Sequence, residues 1–267
     1  MCTWHPCFGT VLLVDFSDPE VLERFLALYG ALPRAAPGSD EATRAALAAL
    51  PKGPRGTVLD LGCGPGAQTM SLAAALPDSI IVAVDVLPPM VAETARRSRE
   101  AGAQDRVVAA VADMAASPVA HGSQDLIWCE GAIYFLGVTA ALQSWRPYLT
   151  GSGCVAFTEP VWLRPDPDQE IATWWSQEYP AITDSNGVRQ AIFEAGYRVI
   201  DSFVMPAEAW WKDYYSPMEA RIPEFLEDYG RDEIAQEIAA AAEEEISMFR
   251  RFSDAYSYAF FITSPES

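Results

Sequence analysis

The stretch Val58-Leu59-Asp60-Leu61-Gly62-Cys63-Gly64-Pro65-Gly66 constrains this chain more than any other. It is a short apolar run that stops on three glycines in five residues and then opens a run of helix formers from Ala67. Apolar residues without polar alternation over so few positions suit a strand buried on both faces, as parallel sheets require. The glycines supply positive φ and let a ligand approach the backbone, while a helix starting beyond them offers unpaired N–H groups. Strand, turn and helix in that order predict a seat for something small and polar. The plainer reading is a tight strand-to-helix turn without a ligand.

Similar runs recur at Ile80 to Asp85, Val107 to Ala112, Asp125 to Cys129 and Gly153 to Thr158. Intervals of about 20 to 28 residues fit strand, crossover helix and parallel strand. Two more strand candidates, Tyr197 to Val204 and Tyr256 to Thr263, stand about fifty residues apart around a helix-rich segment. The expected fold is α/β, a doubly wound, seven-stranded, mostly parallel sheet. Residues 1–50 form an N-terminal helical segment in this reading, with Val21, Leu22, Phe25, Leu28 and Tyr29 at helical spacing. The α/β core takes 51–205, a helical lid insertion 206–255, and the last core strand 256–267. In the insertion Ile234, Ile238, Ile246 and Phe249 mark one helix face. Early Asp232, Glu233 and Glu237 and late Arg250 and Arg251 suit its dipole.

Charge and cysteine usage narrow the partners. Lysine and arginine total 18 against 37 acids, a net charge of −19 with no basic run, which argues against nucleic acid and leaves a small-molecule substrate. Five scattered cysteines in a chain of this size point to a reducing cytoplasm. Cys2, His5 and Cys7 match no zinc spacing, so no metal is expected. Val11 to Val14 is too short for a secretory core and no apolar span reaches membrane length. A homodimer stays open as the assembly.

Asp85 ends the second run 23 residues after Gly62, where an acid can accept both hydroxyls of a ribose. Gly62, Gly64 and Ala67 also satisfy the loose dinucleotide fingerprint, which keeps an NAD(P)-dependent oxidoreductase as an alternative. Three later stretches favour another family: Val111-Ala112-Asp113-Met114, Asp125-Leu126-Ile127-Trp128-Cys129-Glu130, and Leu149-Thr150-Gly151-Ser152-Gly153, where Ser152 displaces one of a usual glycine pair. With these motifs in register the chain resembles the class I S-adenosylmethionine-dependent methyltransferases over residues 57 to about 160. The resemblance implies a Rossmann-like methyltransferase fold with S-adenosyl-L-methionine as cofactor. It places Asp60, Gly62, Cys63, Gly64 and Gly66 around the amino-acid end, Asp85 on the ribose, and Asp113 on the adenine amino group. Val86 and Met114 flank the ring, and Glu130 faces the methionine and the acceptor. Gly38-Ser39-Asp40-Glu41-Ala42-Thr43-Arg44, Trp128 to Tyr134 and the aromatic C-terminal portion are similar to a bacterial subgroup near the ubiquinone/menaquinone biosynthesis methyltransferases. Arg44 is the expected partner of the cofactor carboxylate.

Methyl transfer is dominated by positioning, so a dedicated base is not required. His5 and His121 are the only histidines and neither ends a strand run. Glu130 and Tyr134 are therefore the catalytic candidates, with Glu130 favoured as a contact to the cofactor amino group, and Glu159 is read as structural. Trp174, Trp175, Tyr179, Trp210, Trp211, Tyr214 and Tyr215 cluster after the core. Aromatics fill cores by default, but adjacent pairs cannot all face one interior. Trp174, Tyr179, Trp210, Trp211, Tyr214 and Tyr215 are the expected substrate walls, with at least one of the last four lining the pocket. The predicted function is methyl transfer to a small aromatic, quinol-like or amine acceptor. A non-catalytic S-adenosylmethionine-binding protein is the other alternative.

Overall fold

Two helices, α1 (Pro19–Tyr29) and α2 (Asp40–Ala48), precede the sheet, each started by a side-chain cap: Asp18 accepts from the Glu20 N–H and Ser39 from that of Ala42. The computed structural model describes residues 18–51 and 56–266. Cys2, His5, Cys7 and the run from Val11 to Val14 lie outside them.

Each apolar run is a strand. β1 (Thr57–Leu61), β2 (Ile80–Asp85), β3 (Val107–Val111), β4 (Gln124–Cys129) and β5 (Leu149–Trp162) pair in parallel in the order β3-β2-β1-β4-β5. The crossovers carry α3 (Ala67–Ala75), α4 (Pro88–Glu100) and α5 (Val138–Trp145), so the sheet is doubly wound as expected. Its two faces are separate cores: Val58 and Trp128 belong to one, Leu59, Leu61 and Ile127 to the other. The Leu149 to Gly153 stretch is a strand irregularity. Register shifts opposite Gln124 and Leu126, and a Cβ on Gly153 would stand 2.9 Å from the Gln124 carbonyl oxygen.

Beyond β5 come α6 (Gln169–Glu178), the two-residue β6 (Thr183–Asp184), α7 (Ser185–Glu194) and β7 (Tyr197–Val204). The last strand, β8 (Tyr256–Pro265), inserts antiparallel between β5 and β7. The sheet thus has eight strands rather than the seven expected. β5 continues past Thr158 because β8 pairs with it as far as Trp162 opposite Tyr256, and the overhang offers Val161 and Trp162 as an edge to β6.

From β7 the chain enters α8 (Glu208–Trp210), one π-helical turn over Trp211–Tyr215, α9 (Ser216–Tyr229) and α10 (Glu233–Phe252). These helices and α1 form one cap. Asp232 caps α10 through Oδ1 and accepts from Arg24 Nε at 2.7 Å through Oδ2, while Arg221 donates to the Ala27 carbonyl at 2.8 Å. The cap seats on the sheet through Trp210, which stacks on Phe249 at 4.3 Å and donates to Ser257 Oγ at 3.0 Å. Among the described residues no helix is long and apolar enough to cross a membrane.

Phe249 is fully buried at the centre of this aromatic packing. Phe249→Ala is expected to lower stability by about 3–5 kcal/mol. Urea unfolding followed by tryptophan fluorescence measures it, and a loss within about 1 kcal/mol would mean that the cap does not fold as one unit with the sheet.

Candidate functional site

Gly62, Gly64 and Gly66 all hold positive φ, at 68°, 51° and 87°. Two of them are also closed to any side chain. A Cβ on Gly62 would lie 2.6 Å from Ala132 Cβ, and one on Gly66 2.6 Å from Thr94 Oγ1. The turn is pinned from several sides: Gly64 N–H donates to Asp85 Oδ2 at 2.9 Å, Cys63 N–H to the Val84 carbonyl at 2.9 Å, and Thr94 Oγ1 to the Gly64 carbonyl at 2.8 Å. Asp85 Oδ1 accepts from Leu87 N–H at 2.9 Å, so this carboxylate joins the end of β2 to the turn and keeps lone pairs for a ligand. Cys63 is buried beside Thr94, and burial pushes its thiol well up; only its backbone faces the turn.

Under the turn lies Asp60, fully buried. Its Oδ2 accepts from Thr69 Oγ1 at 2.5 Å, while among the described residues its Oδ1 has no partner at full hydrogen-bond geometry, with the Gln68 side chain beside the carboxyl favouring its charged form. Burial pushes this carboxyl up to about 7. The first turn of α3 has no side-chain cap, so its N–H groups stay available. On the other side Asp113 is exposed and caps the short turn Met114–Ala116. Met114 is buried, with its carbonyl held by Trp145 Nε1 at 2.9 Å, whereas Val86 is 37% exposed and presents an open apolar face.

The end of β4 is organised differently from expectation. Glu130 is buried, and both oxygens are engaged: Oε1 accepts from Thr43 Oγ1 at 2.7 Å and Trp128 Nε1 at 2.8 Å, Oε2 from Arg34 Nη1 at 3.1 Å. A carboxylate held this way positions structure and is not free to act as a base. Arg34, 4% exposed, also donates to Asp40 at 2.9 Å. It is the guanidinium at this site. Arg44 stands on the exposed side of α2 beside Glu41 at 3.5 Å. The loop carrying Arg34 lies on the glycine backbone, since a Cβ on Gly131 would meet Ala36 Cβ at 2.4 Å. It also reaches the cap: Arg34 N–H donates to the Asp213 carbonyl and Gly38 N–H to that of Ala209. A lone arginine inside Pro33-Arg34-Ala35-Ala36-Pro37-Gly38 was the available signal, masked by the breakers around it.

Tyr134, in the short turn Ile133–Phe135, meets Tyr179 edge-on at 6.1 Å. Tyr179 OH donates to Glu159 Oε1 at 2.6 Å. Glu159 is buried, its Oε2 has no partner among the described residues, and burial pushes its carboxyl up to about 8. The reading of Glu159 as a structural residue thus misses an uncommitted buried oxygen beside Tyr179. A second buried acid, Glu245 of α10, accepts from Tyr215 OH at 2.9 Å and Tyr214 OH at 3.3 Å, and burial pushes it up to about 7. The remaining aromatics divide by role. Trp210 and Tyr215 pack the cap, Trp174 packs edge-on against Trp175 at 5.2 Å, and half-buried Trp211 lies outside under Arg250 at 4.9 Å. Tyr214 is the member of the cap quartet within electrostatic reach of Tyr134. Among the described residues no group of three or more His, Cys, Asp or Glu side chains is placed to hold a metal.

The family model for the methyltransferase domain matches residues 58–153. Over 122 residues the chain is 34% identical to the malonyl-[acyl-carrier protein] O-methyltransferase of Legionella pneumophila, covering 45% of this chain and 40% of that protein. Over 48 residues it is 50% identical to the trans-aconitate 2-methyltransferase of Rhodococcus jostii, covering 18% and 19%. The chain thus spans less than half the length of these curated relatives. Its fold is similar to that of an S-adenosylmethionine-dependent methyltransferase from Geobacter sulfurreducens crystallised with S-adenosyl-L-homocysteine, with a TM-score of 0.78 and 22% identity over 95% of this chain and 100% of that one. Residues 58–153 thus resemble a methyltransferase domain, and the whole chain shares the fold of that S-adenosylhomocysteine-bound structure.

Asp60, Glu159 and Glu245 hold protons in the folded chain that the unfolded chain loses near pH 4. Their contribution to stability is fully present below that pH and is lost as pH rises toward about 8. Carboxylates that arginines hold down, such as Glu93 at about 2 beside Arg96 and Arg97, lose their contribution only in the acid direction. Thermal melts are therefore expected to show the highest Tm near pH 5, falling by several degrees toward pH 8, with Glu159→Gln flattening that fall. A Tm that rises from pH 5 to pH 8 would contradict this.

Proposed function

We propose that the chain transfers the methyl group of S-adenosylmethionine to a small molecule held between the ends of β4 and β5 and the cap. One observation carries the reading: a glycine turn closed to side chains, tied by Gly64 N–H to Asp85, over a buried carboxylate oxygen with no partner among the described residues. These residues fit the cofactor. Asp60 Oδ1 suits its ammonium group, the free N–H groups at the start of α3 its carboxylate, and the lone pairs left on Asp85 its ribose hydroxyls. Asp113, Val86 and Met114 border the place for adenine. When bound, S-adenosylmethionine supplies an electrophilic methyl on a sulfonium centre.

The protein's own share is orientation and exclusion of water. Glu130, fixed by Arg34, Thr43 and Trp128, holds the loop 34–38 and α2 over the turn. Tyr134 and Tyr179 stand where an acceptor leaves the ends of β4 and β5. Attack in line with the sulfonium needs reacting atoms about 3–3.5 Å apart, which a closed apolar wall enforces without a base. The relatives are named for malonyl-[acyl-carrier protein] and trans-aconitate, and the subgroup resemblance suggests a quinol. For this chain the buried acids and phenols favour an uncharged or cationic acceptor over an anionic one.

Titration calorimetry with S-adenosylhomocysteine tests the assignment. Asp85→Ala is expected to bind about tenfold to a hundredfold more weakly, the loss of charge-assisted hydrogen bonds of about 1.5–3 kcal/mol, and Asp113→Ala to lose less. Unchanged affinity in a folded Asp85→Ala protein, or binding of NADH in its place, would overturn it.

A further inference from the structure

Two buried acids, one on the sheet and one on the cap, converge on the same group of phenols. Tyr258 of β8 feels the charge of both Glu159 and Glu245, and also that of Tyr134 and Tyr214. Glu159 faces Tyr179 just past the end of α6, with Tyr258 from β8 and Cys129 from β4 nearby. Glu245 faces Tyr214 and Tyr215 from the π-helical turn, Glu178 from α6, Tyr29 from α1, and Tyr256 and Tyr258 from β8. Among the described residues no lysine, arginine or histidine contributes to the field at either carboxyl. Each acid also has an unsatisfied polar atom beside it or on it. Glu159 Oε2 and the Tyr256 hydroxyl are both buried and without a partner among the described residues. Buried polar atoms in a folded protein are nearly always paired, so two orphans flanking one cluster mark the place of a missing partner. That partner must donate hydrogen bonds to a carboxyl oxygen, tolerate aromatic walls and carry no negative charge.

We propose that the methyl acceptor is a small amine, cationic in solution, on an apolar or aromatic body, and that Glu159 Oε2 receives its nitrogen. This rests on the methyl-transfer reading above. An ammonium group entering the site loses one proton to solvent: the protonated carboxyl and the ammonium become a protonated carboxyl and a neutral amine, with one proton released. In a dry site the pair is held as neutral amine against neutral carboxyl. The nitrogen then has its lone pair. In the transfer that lone pair forms the new N–C bond as the S–C bond breaks and the bonding electrons stay on sulfur; the methylated ammonium so formed passes one proton to Glu159 as the carboxyl's own proton leaves to water. Glu245 lies on the cap side of the phenols and does not take the proton.

The test is calorimetry at pH 6.5 on the full chain saturated with S-adenosylhomocysteine, in buffers of different ionisation enthalpy. The probes are benzylamine and 2-phenylethylamine, the matching alcohols, and trans-aconitate as the anion. The amines are expected to bind at least tenfold more tightly than the alcohols, with about one proton released per amine bound, and trans-aconitate not at all. Glu159→Gln, which keeps the Tyr179 hydrogen bond, is expected to abolish both the preference and the proton release. Glu245→Gln is expected to retain the proton release. Amines that bind no better than alcohols, tighter binding of trans-aconitate, or proton release that survives Glu159→Gln would overturn the proposal. Retained S-adenosylhomocysteine affinity in each variant confines such a failure to the acceptor. Its absence in the unmodified chain would instead remove the methyl-transfer reading, and the amine with it.

Discussion

The buried pair between Arg34 and Glu130 is the interaction on which the arrangement of the site depends. Both side chains are almost wholly removed from water, at 4% and 3% exposure. Charges in that setting cost several kcal/mol each to desolvate, and the attraction offsets this only where the remaining donors and acceptors are satisfied. Here Thr43 and Trp128 take one Glu130 oxygen and Asp40 takes the other arm of Arg34. The pair therefore locks four pieces together: the end of β4, the start of α2, the loop 34–38, and the cap through the Arg34 N–H on Asp213. Gly38 and Gly131 are small because this loop must pass within contact distance of the strand end.

A second constraint works in the opposite direction. Asp60, Glu159 and Glu245 are buried acids, and among the described residues no cation holds them ionised. Hydrophobic side chains of similar size would stabilise the fold better, since an orphaned buried polar atom costs about 1–3 kcal/mol. Stability is thus given up at the glycine turn and under the cap, the two places a cofactor and an acceptor would occupy. The π-helical turn carrying Tyr214 and Tyr215 belongs to the same pattern, because such turns are rare and concentrate near functional sites.

Much of the scaffold was legible because burial writes itself into short-range pattern. Strands β1 to β5, β7, the antiparallel β8, the glycine turn and Asp85 all lie where apolar runs and their ends put them. What was not legible depends on partners distant in sequence. β5 extends past Thr158 only because β8 pairs with it, nearly a hundred residues later. Arg34 and Arg44 look alike as sequence, one in a breaker-rich loop and one on a helix, yet only the first meets Glu130. Glu245 hides in an acidic run that reads as a solvated face, although its spacing from Ile238, Ala242 and Phe249 places it on the apolar side of α10. Of the aromatic quartet expected to wall the pocket, Trp210 and Tyr215 serve the cap and Trp211 its outer surface, which leaves Tyr214.

The central claim is that the glycine turn, Asp60 and Asp85 hold S-adenosylmethionine with its sulfonium facing the Tyr134 side of the cap. A crystal structure of the chain with S-adenosylhomocysteine tests it most directly. The amino group should lie within hydrogen-bond distance of Asp60 Oδ1, the ribose hydroxyls on Asp85, and the sulfur toward Tyr134 and Tyr179. Density for the ligand on the outer surface, or with its ribose away from Asp85 and its sulfur turned from the cap, would contradict the account.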